Sequence, residues 1–118
     1  MSSDLPSILV VEDEPIIAMD IADAFEDAGW FVLGPAGTLK QAEQAIRKKA
    51  PQAALLDMNL RGTSTLSLAE QLRRRSIPVV FLTGDSAYAL PDSLAGVHVI
   101  SKPAATEDLV ARFSGFKP

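Results

Sequence analysis

A chain of 118 residues, 47% hydrophobic and 22% charged, is the size of one domain and too apolar to be disordered. Its net charge of -4 argues against nonspecific nucleic-acid binding, and the lack of cysteine excludes disulfides, thiolate metal sites and cysteine nucleophiles. No apolar run approaches the roughly 18 residues that a membrane span needs, and Met1-Ser2-Ser3-Asp4-Leu5-Pro6 lacks the pattern of a secretory signal, so the cytoplasm is the expected location.

In chain order, short apolar runs alternate with segments of helical period. Ile8-Leu9-Val10-Val11 reads as a strand ending in Glu12-Asp13. Pro15 suits the first turn of the helix that follows, in which Ile17, Ile21, Phe25 and Ala28 share one face and Asp20, Asp23 and Asp27 another. Gly29 ends that helix. Trp30 to Leu33 reads as a second strand, stopped by Gly34-Pro35. Thr38 with Gln41 matches a capping box for a helix with Leu39, Ala42 and Ile46 on its apolar face, closed by Pro51. The third strand, Ala53-Ala54-Leu55-Leu56-Asp57, ends in a carboxylate. A polar loop from Asn59 to Thr63 leads to a helix carrying Leu68, Ala69 and Leu72, whose terminal Arg73-Arg74-Arg75 suits a solvated face at the helix C-terminus. Pro78 opens a fourth strand, Val79 to Thr83. Residues 85–96 contain Pro91 and end at Gly96, so a single short turn or irregular structure is expected there. A fifth strand over 97–101 and a final helix over about 105–113 complete the chain. The pattern predicts one domain over residues 1–118: an α/β (βα)5 fold with a doubly wound parallel sheet, helices on both faces and a degraded fourth helix.

Ending a buried strand in a carboxylate is costly unless that group faces water, a cation or a ligand. Parallel strands would gather Glu12, Asp13, Asp57, Thr83 and Lys102 at one edge, where open α/β sheets bind ligands. Three crowded carboxylates repel one another unless a cation compensates. With oxygen donors and no cluster of His and Cys, the natural compensator is Mg2+. Adding the Thr83 hydroxyl and the Lys102 ammonium makes a place for a phosphoryl group on a carboxylate.

These residues carry a resemblance. Val10-Val11-Glu12-Asp13-Glu14, Leu55-Leu56-Asp57-Met58-Asn59-Leu60, Phe81-Leu82-Thr83-Gly84 and Ser101-Lys102-Pro103, each at a strand end, resemble the motifs of a response-regulator (CheY-like) receiver domain over about residues 7–113. The resemblance implies a flavodoxin-like fold with strand order 2-1-3-4-5, and a two-component or phosphorelay signalling module rather than an enzyme. Asp57 would accept phosphate from a histidine kinase or phosphotransfer protein. Asp13, Asp57 and the Asn59 carbonyl would ligate Mg2+, and Glu12 would act largely through metal-bound water. Thr83 would move toward the phosphoryl group and Lys102 would pair with it. The Lys102–Pro103 bond would be cis, and residues 83–104 would form a switched surface for an unidentified downstream protein.

Some positions depart from the common pattern. Arg61 replaces a usual proline, Val99 an aromatic on the fifth strand, and Ala104 an aromatic after Lys-Pro. Pro78 to Gly84 resembles an alphaproteobacterial variant with a Pro-Phe-x-Phe-Ala-Thr-Gly signature. Tyr88 is read as loop packing, with a substitute for the missing aromatic switch as its functional alternative, and His98 as packing or a surface group. The rival functions are a phosphorylation-independent interaction domain of the same fold and an aspartate-nucleophile phosphatase of the haloacid-dehalogenase type. The phosphatase needs an aspartate where Asn59 stands.

Overall fold

A computed structural model describes residues 5–85 and 87–117. The first strand, β1 (Ser7–Val11), is followed by α1 (Pro15–Asp27), β2 (Phe31–Ala36), α2 (Leu39–Lys48) and β3 (Ala53–Asp57). A two-stranded hairpin, β4 (Asn59–Leu60) and β5 (Thr63–Ser64), precedes α3 (Leu66–Arg74). The chain then forms β6 (Val79–Thr83), a short 3-10 turn at Asp92–Leu94, β7 (His98–Ser101), α4 (Thr106–Phe113) and a closing 3-10 segment at Ser114–Phe116. The main sheet runs β2-β1-β3-β6-β7, with every pairing parallel. Once the hairpin is set aside, this is the predicted order 2-1-3-4-5. Ser86, in the irregular 85–96 segment, lies outside the described residues.

All residues of β1, β3 and β6 are buried, as near-continuous apolar runs in a parallel sheet require. Alternate side chains feed two half-cores. Leu9, Val11, Ala54, Leu56 and Phe81 pack toward α2, α3 and the 3-10 turn through Ala42, Leu68, Leu72 and Leu94. Ile8, Val10, Leu55, Val80 and Leu82 pack toward α1 and α4 through Ile21, Phe25, Leu109 and Phe113. On this second side Phe25, Trp30, Phe113 and Phe116 meet edge to face, the arrangement that ring quadrupoles favour.

Local signals account for most element ends. Pro15 begins α1, and the Thr38 hydroxyl accepts from Gln41 N while Gln41 Oε1 accepts from Gly37 N at 2.8 Å. Both Lys102–Pro103 and Gly34–Pro35 are cis. Two expectations, on the end of β2 and the inward face of α1, need correction. Strand β2 does not stop at Gly34-Pro35 but runs on to Ala36, because the register shifts between Leu9↔Leu33 and Val11↔Ala36. Gly34 is required there: its φ is +100°, and an added Cβ would lie 2.6 Å from Ala36 N. Helix α1 turns Ala18, Ile21, Ala22 and Phe25 inward and leaves Ile17 40% exposed. Helix α2 ends at Lys48 with Lys49 as its cap, two residues before the Pro51 expected to close it. Among the described residues no helix is long and apolar enough to cross a membrane.

Candidate functional site

Register builds the site. Val11 pairs with Leu56, so Glu12 and Asp57 emerge side by side one residue later. Asp57 pairs with Leu82, which brings Thr83 to the next step, and Thr83 pairs with Ser101, which delivers Lys102 beyond it. The four polar strand ends therefore sit along one edge of the sheet, the position at which parallel α/β sheets place their ligands.

Glu12 and Asp57 are almost fully buried, at 2% and 5% exposure. Carboxylate oxygens of Glu12, Asp13 and Asp57 lie within 4.8 Å of one another. Lys102 Nζ reaches between two of them, 2.9 Å from Asp57 Oδ2 and 2.9 Å from Glu12 Oε1. It donates a hydrogen bond to Asp57. Toward Glu12 its alignment is poor, so Glu12 Oε1 is a buried oxygen with a cation nearby and no hydrogen bond. Glu12 Oε2 accepts from Glu14 N at 3.0 Å.

Backbone donors and a hydroxyl fix the phosphoacceptor candidate. Asp57 Oδ1 accepts from Asn59 N at 3.2 Å. Buried Thr65 donates its hydroxyl to the carbonyl of Asp57 at 2.8 Å, which ties the end of β3 to the start of α3. Thr83 is buried and its hydroxyl is engaged with its own loop: it accepts from Asp85 N at 3.0 Å and donates to Asp85 O at 3.3 Å. Asn59 is exposed, its side-chain oxygen accepting from Gly62 N.

Burial pushes the Glu12 carboxyl above its usual range, and repulsion from Asp57 adds to the effect, while the Glu14 amide and Lys102 oppose it. Burial would lower the Lys102 ammonium, but its hydrogen bond to Asp57 and the nearby charges of Asp57 and Glu12 outweigh that and hold it above its usual range. The Glu12 shift has a sign. A carboxyl that binds its proton more tightly when folded costs stability once charged, so that stability falls as pH rises from the unfolded value of 4.5 through the raised folded one. Glu12→Gln is therefore expected to flatten the decline in urea midpoint across this window in chelator, and to leave the variant more stable than the wild type at neutral pH. A variant whose profile parallels that of the wild type would refute this.

The all-oxygen set, the close carboxylates and the unbonded Glu12 Oε1 suit a hard divalent cation with retained waters. Two participants were not legible beforehand. Thr65 carries no motif signal. Arg61 Nε lies 3.3 Å from Asp13 Oδ2, at the tip of the β4–β5 hairpin. The hairpin replaces the predicted loop; Arg61 and Gly62 at its turn both have positive φ, and Gly62 was the one clue to it in the sequence. Outside the site, exposed His98 contacts Arg112 through Nδ1 at 2.6 Å, and Tyr88 is exposed.

Comparisons with known proteins agree with this geometry. The profile described as "Response regulator receiver domain" matches residues 8–114. The phosphate regulon transcriptional regulatory protein PhoB of Pseudomonas aeruginosa is 36% identical over 115 residues, covering 90% of this chain and 49% of PhoB. The chain spans about half the length of the curated relatives it matches. The solution structure of SdrG from Sphingomonas melonis superposes with a TM-score of 0.78 at 34% identity, covering 98% of each chain. The response regulator PhyR from Brucella abortus gives 0.74 at 30% identity, covering 91% of this chain and 45% of PhyR. With the five-stranded sheet, the acidic edge and these likenesses together, the chain belongs to the response regulator receiver domain family.

Proposed function

We propose that residues 1–118 act as one receiver domain and that Asp57 takes a phosphoryl group from the phosphohistidine of a histidine kinase or phosphotransfer protein. The observation that carries this reading is the nearly buried Asp57 carboxylate, fixed by Asn59 N and Lys102 at the mouth of the sheet and flanked by Glu12 and Asp13. An Asp57 oxygen attacks phosphorus, the new O–P bond forms as the donor's N–P bond breaks, and the imidazole leaves and recovers a proton. Asp13, Asp57 and the Asn59 carbonyl, with Glu12 acting through water, would hold Mg2+, which when bound would supply positive charge to the transferring oxygens. Lys102 neutralises the product from the other side, giving up its contact with Glu12 as it follows the phosphoryl oxygens.

Phosphorylation adds about -1.5 to -2 charge at Asp57. To meet that charge, the Thr83 hydroxyl gives up its two bonds to Asp85, and residues 84–96 move with it. Half-buried Val99 cannot act as a rotating aromatic. The 83–104 surface is thus reset through the loop, Tyr88 included, and presented to a downstream protein. The domain is a signalling module whose only chemistry is on its own Asp57.

Beryllofluoride with Mg2+, or acetyl phosphate with Mg2+, is expected to shift the amide NMR signals of Thr83 to Gly96. Asp57→Ala is expected to abolish the response and the incorporation of phosphate. An unresponsive wild type would overturn the reading and favour an interaction domain indifferent to Asp57.

A further inference from the structure

The β4–β5 hairpin is rooted at both ends on Asp57. Asn59 N donates to the Asp57 side chain, and the Thr65 hydroxyl donates to the Asp57 carbonyl. Between these roots Asn59 pairs with Ser64 and Leu60 with Thr63, and buried Leu60 pins the hairpin to the body of the domain. The turn consists of Arg61 and Gly62 at φ +52° and +93°, two successive left-handed residues that leave a hairpin little choice of geometry. Arg61 is therefore presented by a rigid tip. Its side chain is 74% exposed, whereas the Asp13 side chain it meets is only 14% exposed. The two residues form part of the wall of a groove of about 510 Å³ that also touches Pro15, Gly37 and Thr38.

We propose that Arg61 is a tethered counter-ion of Asp13 that competes with the divalent cation, so that cation binding and release of Arg61 are one coupled event. The proposal rests on the reading of Glu12, Asp13 and Asp57 as a cation site. Asp13 Oδ2 cannot serve a guanidinium and a metal at full strength together. A guanidinium a few ångströms from a divalent ion also repels it. Lys102 already balances Glu12 and Asp57, leaving Asp13 as the carboxylate served by Arg61. Arg61 thus lowers cation affinity without touching the phosphoacceptor, and the cation's arrival frees the hairpin tip.

Loss of a partly exposed ion pair together with that repulsion gives about a three- to ten-fold effect on affinity. Mg2+ titrations followed by calorimetry and by amide NMR are expected to show Arg61→Gln binding about three- to ten-fold more tightly than the wild type, with Arg61→Lys close to the wild type. Both substitutes tolerate the left-handed turn about equally, so a purely structural role for Arg61 predicts that they behave alike. The gap between wild type and Arg61→Gln should narrow as salt is raised. In the wild type, saturating Mg2+ should also move the Arg61 Nε–H signal toward that of a free guanidinium. Equal affinities for wild type and Arg61→Gln, or an unmoved Nε–H signal, would overturn the proposal and leave the cation site standing. Absence of Mg2+ binding in all three proteins would overturn both.

Discussion

Phe113→Ala is expected to destabilise the domain by about 3–5 kcal/mol, the cost of emptying a large buried aromatic site. Phe113 is fully buried in the half-core beneath α1 and α4. Its ring meets Phe25 at 5.3 Å, Phe116 at 5.4 Å and Trp30 at 6.3 Å, each edge to face. Three partners lose their contacts at once, and α4 loses one of its two fully buried anchors, the other being Leu109. Domains of this size are stable by only about 5–15 kcal/mol, so the variant should melt more than about 10 °C lower. Phe116→Ala is the comparison. That ring is half-buried at the edge of the same cluster and should cost about 1–2 kcal/mol. Equal losses in urea denaturation would show that the cluster is not organised around Phe113.

Lys102→Met is expected to cost about 2 kcal/mol near neutral pH in chelator. Removing one partner of a buried ion pair typically costs about 3–5 kcal/mol, and the lower figure allows for the quarter of the Lys102 side chain that is exposed. The variant leaves Glu12 and Asp57 facing each other without their shared ammonium. Glu12 already binds its proton more tightly than an ordinary glutamate and would do so further. The cost should therefore shrink as pH falls and Glu12 takes up a proton. The lysine side has the opposite window: a raised Lys102 pKa stabilises below the unfolded value of 10.5, and that stability is lost as pH climbs through the folded value. The variant should lack this alkaline decline. Added Mg2+ should return most of the lost stability near neutral pH, so its melting temperature should depend on Mg2+ more steeply than that of the wild type. A variant as stable as the wild type in chelator would mean that Lys102 is not what keeps the two carboxylates together.

The parallel sheet and its polar edge were legible because β1, β3 and β6 are apolar on both faces, a pattern that only a sandwiched parallel strand requires. Once parallel order is accepted, strand ends must converge, and Glu12, Asp57, Thr83 and Lys102 follow without any knowledge of side-chain positions. The weak fourth crossover was legible from Pro91 and Gly96. What escaped lies one step beyond pattern. Helical periodicity admits either Ile17 or Ala18 as the inward residue, and the choice of Ala18 depends on how closely α1 approaches the sheet. Strands of two residues, as in β4 and β5, are too short to show alternation. The pairing of Arg61 with Asp13, 48 positions apart in the chain, is a matter of where the hairpin points.

The irregular end of β2 has a consequence for solubility. A sheet in the order β2-β1-β3-β6-β7 has two open flanks, and unpaired amides along a flank invite a strand from another molecule. On β2 the invitation is withdrawn midway. Gly34 departs from extended geometry, Pro35 has no N–H to offer, and the register slip turns the last residues away from a straight ladder. The opposite flank, β7, is only four residues long. The kink beside Gly34 thus works as a guard against cross-strand aggregation while the interior of the sheet keeps its unbroken apolar runs.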